Sequence, residues 1–186
     1  MCPMRHLDGW QPTHKKENRM SDYVRFTREC SFSQLRPELA QAIREYAQNH
    51  CELGNVEVEV LMCCETTSER KRMGALATLM EGAPDTILYT GMLVTPQWLI
   101  WARSGDKSGI RVSSAKLLDI QVRAFASILV KDAGIQVSGY IGDSKGQVRG
   151  YIGMGPEPAA QQFCDQVQKA IEKVTPKPAK KRFGFF

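Results

Sequence analysis

The sequence predicts an α+β domain in which short antiparallel strands form a barrel or bent sandwich, closed by a C-terminal amphipathic helix and preceded by an extra helix. Three observations carry this expectation. Seven short apolar or alternating runs lie between residues 87 and 152, broken by Gly, Asp and Ser, the pattern of hairpins rather than of strands separated by crossover helices. After them, Phe163, Val167, Ile171 and Val174 recur along one face of a helix opening at Pro156-Glu157-Pro158, with Gln161, Asp165, Gln168, Lys169 and Glu172 opposite. Before them, residues 37–50 start with Pro37 and Glu38, which suit a first turn, and place Leu39, Ile43, Tyr46 and His50 at helical spacing.

In chain order, residues 1–30 lack a sustained apolar period and contain Pro3, Gly9, Pro12 and a polar run from Thr13 to Arg19, which predicts a disordered arm. Met20-Ser21-Asp22 would also serve as an initiation site. A single domain is expected over 31–174. Its first helix is stopped by Gly54-Asn55. The alternation Val56-Glu57-Val58-Glu59-Val60 then predicts a strand over 56–65. Residues 66–82 read either as a short helix carrying Met73, Leu76, Leu79 and Met80 or as an extended connection. The strands that follow are expected at 87–94, 98–102, 110–113, 118–122, 127–130, 135–141 and 148–152, with polar hairpin turns at 104–109 and 142–146. The closing helix spans 157–174, and Lys169 and Lys173 suit its C-terminal dipole.

Composition narrows the function classes. With 42% apolar and 24% charged residues the chain is of ordinary globular make-up, and its longest apolar run falls short of the roughly 18–20 residues that span a bilayer. The net charge of +5 is unevenly placed: residues 1–30 carry +2, residues 31–174 carry −1 and residues 175–186 carry +4. A nucleic-acid reader concentrates positive potential on its folded domain, so nucleic acid is not the expected partner. Six cysteines without an export signal point to a reducing, cytoplasmic setting with inert thiols. No structural metal is expected. Cys63 and Cys64 are adjacent, so on a strand they face opposite ways, whereas zinc ligands come in pairs two to four residues apart.

Enzymatic chemistry finds no motif. His6 and His14 lie in the arm, and His50 ends a helix with no nucleophile signature nearby. Gly153-Met154-Gly155-Pro156 has Pro where a dinucleotide fingerprint needs Gly, and no Gly-Lys-Ser/Thr ending completes a phosphate loop. The chain is therefore expected to be non-catalytic and without a cofactor. The repeats Gly139-Tyr140-Ile141-Gly142 and Gly150-Tyr151-Ile152-Gly153 read as bends in the two strands of one hairpin. Trp98 and Trp101, three residues apart on one strand, should face opposite sides.

Thr90-Gly91-Met92-Leu93-Val94-Thr95-Pro96-Gln97-Trp98-Leu99-Ile100-Trp101, then Ile110-Arg111-Val112-Ser113, then Leu117-Leu118-Asp119-Ile120-Gln121-Val122, resembles bacterial pleckstrin-homology and GRAM-like domains over about 56–174. The resemblance implies a barrel-like fold plugged by a helix. It differs at Trp98, where such domains often carry a basic residue. Arg70, Lys71 and Arg72 fall where many of these domains hold phosphorylated lipid headgroups, which makes them candidate binding residues.

The tail 175–186 supplies the other candidates. Lys180, Lys181 and Arg182 precede Phe183, Phe185 and Phe186, a basic linker ending in aromatics, which reads as a docking peptide. The expected function is a non-catalytic binding or scaffolding module acting on a protein partner. The alternative is peripheral attachment to an anionic membrane, where each cation would contribute about 1 kcal/mol and the aromatics would insert.

Overall fold

The computed structural model describes residues 23–71, 85–127 and 132–176. Two antiparallel sheets form a bent sandwich, the second of the two arrangements expected, and no closed barrel is present among the described residues. The first sheet is a five-stranded meander: β1 (Tyr23–Glu29), β2 (Met62–Arg70), β3 (Ile87–Val94), β4 (Trp98–Gly105) and β5 (Gly109–Lys116). The second has three strands: β6 (Ile120–Ser127), β7 (Asp132–Gly139) and β8 (Val148–Met154). Three α-helices are described: α1 (Pro37–His50), the single turn α2 (Val56–Glu59) and α3 (Pro158–Val174). Among the described residues, no helix is long and apolar enough to cross a membrane.

The middle of the five-stranded sheet is buried on both faces, so it reads as nearly continuous apolar runs. Met92, Val94, Leu99 and Trp101 face the three-stranded sheet and α3, meeting Val122, Ile135, Val137, Ile152, Phe163 and Val167. Leu93, Ile100 and Ala102 face the other way, onto Leu39, Ile43 and Ala47 of α1. Each strand residue thus contributes to one of two separate cores according to its parity. Cys63 enters the α1 core and Cys64 the α3 core, as adjacency on a strand requires. Trp101 is buried on the α3 side, whereas Trp98 is half-buried on the α1 side with Lys116 5.3 Å above its ring.

Three sequence expectations are corrected. Tyr23–Glu29 is a strand, not part of an arm. Only Thr27 in it is buried, so the strand shows no apolar period and is held mainly by its ladder to β2. Residues 1–22 of the arm lie outside the described residues, and Cys30, its last residue, is buried in the α1 core. The strand expected at 56–65 is instead α2 followed by β2. The Asn55 side chain accepts the Glu57 N–H at 3.0 Å and caps a helical turn, Val56 anchors it in the α1 core, and Glu57 pairs with Arg44 at 2.6 Å. Strand pairing begins at Met62 and is carried by Thr, Ser and Glu, so Glu57 and Glu59 share no strand face. Finally, Leu117–Asp119 is a 3-10 turn and β6 runs unbroken from Ile120 to Ser127. Most of the strand expected at 127–130 lies outside the described residues, as does 72–82. The stretch 66–70, left open between helix and extended chain, belongs to β2.

The hairpin turns and the closing helix follow the sequence. Gly109 takes a φ of +68° where the β4–β5 turn re-enters the ladder opposite Gly105. Phe163 and Val167 are fully buried, Ile171 and Val174 half-buried, and Cys164 and Ala170 widen the apolar stripe.

Candidate functional site

The sequence placed candidate binding residues in two places, and the structure brings only a part of them into view. Arg70 and Lys71 follow one another at the end of β2, where Arg70 lies opposite Tyr23 and donates its backbone N–H to the Thr86 carbonyl at 2.9 Å. Arg72, Lys180, Lys181, Arg182, Phe183, Phe185 and Phe186 lie outside the described residues. The described chain ends at Pro176, just past a helix terminus at which Thr175 gives both its N–H and its hydroxyl to the Ile171 carbonyl, at 3.0 and 2.8 Å.

The most distinctive open surface is the outer face of the three-stranded sheet. Ile120 and Val122 of β6 point into the core, which turns Gln121, Arg123 and Phe125 outward. On β7, Ile135 and Val137 point inward and Gln136 and Ser138 outward; on β8, Ile152 and Met154 point inward and Arg149 and Tyr151 outward. The register sets Arg123 opposite Gln136, Ser138 opposite Arg149 and Gln136 opposite Tyr151. Phe125 lies opposite Gly134, and its ring meets Tyr151 edge-on at 5.4 Å between centroids. Phe125 is 39% exposed and Tyr151 37% exposed, high values for aromatic rings packed in a pair.

β1 adds a third cation to this face. The Arg25 guanidinium lies 6.0 Å from the Tyr151 ring centre and 5.6 Å from that of Tyr23. It passes over Gly153, where a methyl group would run into its Nε. At the far end of the same face is a groove of about 860 Å3, lined among others by Arg123, Gln136, Ser138, Tyr140 and Arg149, with Asp119 its one acidic lining residue among those described. Ile171 and Thr175 at the end of α3 also line it, so the tail departs from the rim of this groove.

A second cleft, of about 250 Å3, lies between α1, β4–β5 and the turn after β7. It holds His50, whose ring stacks on Tyr46 at 4.3 Å and 9° and whose Nδ1 sits 3.3 Å from the Tyr46 carbonyl oxygen. The Ser114 hydroxyl donates to the Tyr46 hydroxyl at 3.3 Å. His50 is thus engaged by its own helix, and among the described residues no carboxylate is hydrogen-bonded to it.

The five described cysteines are all buried. Burial pushes the thiols of Cys51 and Cys164 up and that of Cys64 to about 12, which keeps them protonated and unreactive. Among the described residues no group of three or more His, Cys, Asp or Glu could hold a metal ion.

Arg25, Arg123, Arg149 and Phe125 were not singled out by sequence reasoning. The signal present was the period-two pattern of 120–125, in which Gln121, Arg123 and Phe125 alternate with Ile120, Val122 and Ala124. Tyr140 and Tyr151 were marked by their repeated tetrapeptides, and both are exposed. Among known proteins, no family model, no curated sequence and no solved structure matches this chain.

Proposed function

We propose that this chain is a non-catalytic binding module that acts by protein–protein contact, using the outer face of the three-stranded sheet as its contact surface and the tail 175–186 as a second docking element. The observation that carries the reading is the exposed Phe125–Tyr151 pair with Arg25, Arg123 and Arg149 beside it. Tyr and Arg dominate the energetics of protein interfaces, because they bury large areas with few rotatable bonds while keeping a polar end. In the groove, Arg123 and Arg149 against the one acidic lining residue Asp119 among those described favour an acidic partner segment. The tail leaves from the rim of that groove, so one partner could engage both. The resemblance to pleckstrin-homology domains is in keeping with recognition rather than catalysis.

The test uses the full chain, an Arg123→Glu/Arg149→Glu variant and a chain ending at Pro176. A partner recovered by the full chain should be lost from the double variant, weakened by the truncation, and held less well as salt rises. Sedimentation with vesicles containing phosphatidylserine should leave all three in the supernatant. Vesicle binding that the truncation abolishes would replace this reading with peripheral membrane attachment. Protein capture indifferent to Arg123 and Arg149 would move the contact surface elsewhere.

A further inference from the structure

Two of the buried thiols stand apart from the rest. Cys30 directly follows β1 and continues its register, giving its backbone N–H to the Cys63 carbonyl at 3.1 Å. Both side chains enter the α1 core, and the two sulfurs lie 4.0 Å apart. Directly opposed residues of an antiparallel pair have Cα atoms about 4.5–5.5 Å apart, inside the range that a disulfide spans. Rotation about the Cα–Cβ bonds can therefore bring the sulfurs together without moving a strand. Cys64 faces the other core and cannot compete from that position.

We propose that Cys30 and Cys63 are a peroxide-sensitive dithiol that closes to a disulfide, clamping the α1 layer at its base. The loop closed by this bond would enclose the Phe32–Gln34 turn, α1 and α2, the whole excursion between the first two strands. Cys30 is the attacking sulfur. The two thiols share a hydrogen bond, and that bond, together with the Arg28 guanidinium, lowers the Cys30 pKa; Cys63 is pushed up by the same bond and by burial. Cys30 is 8% exposed and Cys63 2%, so a small oxidant such as hydrogen peroxide reaches the first sulfur sooner than the second. In the first step the Cys30 thiolate attacks one peroxide oxygen and the O–O bond breaks. This gives a sulfenic acid and hydroxide, which takes a proton to become water. In the second step the Cys63 sulfur attacks the Cys30 sulfur, the S–O bond breaks, and the departing hydroxyl takes the Cys63 proton and leaves as water. Overall, two thiols are oxidised to one disulfide and one peroxide is reduced to two waters.

The full-length chain, reduced and freed of reductant, is exposed to hydrogen peroxide, unfolded and alkylated. The expected product carries two fewer alkyl groups than the reduced protein, and its mass before alkylation is lower by two hydrogens. Digestion after Arg and Glu separates Cys51 from Cys63 at Glu57 and Glu59, and fragment ions tell Cys63 from Cys64, so the bond is mapped in the unmodified sequence. Dithiothreitol should restore all thiols, and the oxidised chain should melt at a higher temperature than the reduced one. Cys64→Ala should keep the bond and Cys63→Ala should abolish it. A Cys30 that stays fully alkylatable while methionines oxidise, or that goes to sulfinic acid with Cys63 still free, would overturn the proposal. A bond to any cysteine other than Cys63 would do the same.

Discussion

Thr27 and Thr66 face each other across β1 and β2 with their hydroxyl oxygens 2.7 Å apart, both fully buried. Thr27 Oγ1 also accepts the backbone N–H of Gly155 at 2.8 Å, and the Thr27 N–H donates to Glu157 Oε2 at 2.8 Å. One threonine of the edge strand thus ties the five-stranded sheet to the junction between β8 and α3. Thr27→Val keeps the shape but leaves the Gly155 N–H without its acceptor. It should lower stability by about 1–3 kcal/mol in urea titrations. A loss under about half a kcal/mol would mean that water replaces the hydroxyl.

Phe163 of α3 is fully buried among Val122, Ile135, Val137 and Trp101 side chains of both sheets. Phe163→Ala should cost about 3–5 kcal/mol, read as a shifted denaturation midpoint. A cost below about 1 kcal/mol would mean that α3 does not seal this core.

Asp85 receives the N–H groups of Lys107 and Ser108 at 2.7 and 3.0 Å, pinning the approach to β3 against the β4–β5 turn. With the Ser108 hydroxyl, these donors hold its carboxyl down at about 2. The folded value lies below the ordinary aspartate value of about 3.9. Its contribution is therefore complete above about pH 4 and is lost as the pH falls through 2. Asp85→Ala should accordingly be less stable than the parent at pH 7, with the gap narrowing between pH 4 and 2. A gap constant over that interval would show that the carboxylate charge plays no part.

Gly153→Ala tests the sheet face independently of charge. The added methyl displaces the end of the Arg25 side chain from beside Tyr151, and an arginine end can swing aside cheaply. Stability should change by less than about 1 kcal/mol while partner capture falls. Undiminished capture would remove Arg25 from the contact surface.

Ending the chain at Pro176 leaves the Thr175 cap on α3 intact. The melting temperature should stay within about 2 °C of the parent. A larger drop would show that the tail packs on the domain.

Where the sequence was legible, a single face of each element was buried or a turn residue was unambiguous. The α1 bounds, the β3 bounds and the Phe163–Val167 stripe are of this kind. β1 escaped because its side chains alternate between a solvated face and a polar junction at Thr27, so no apolar period marks it. The Val-Glu alternation of 56–60 fits a strand, but the Asn55 cap and the burial of Val56 against α1 turn the chain into helix, a tertiary preference that local spacing does not encode. The sheet-face candidates share the second difficulty. Arg25 and Tyr151 are separated by most of the chain, and only the meeting of β1 with β8 puts them side by side.

The order of the strands also bears on how quickly the molecule assembles. Among the described residues all six strand pairings join sequential neighbours, and the longest excursion within a sheet is the one between β1 and β2. The Thr27–Gly155 bond, by contrast, spans 128 residues. Loop-closure entropy makes such a contact late, so the two meanders should form in the rate-limiting ensemble before the seam between them. Thr27→Val should then accelerate unfolding and leave the refolding rate nearly unchanged, the kinetic mark of a seam that closes after the barrier is crossed.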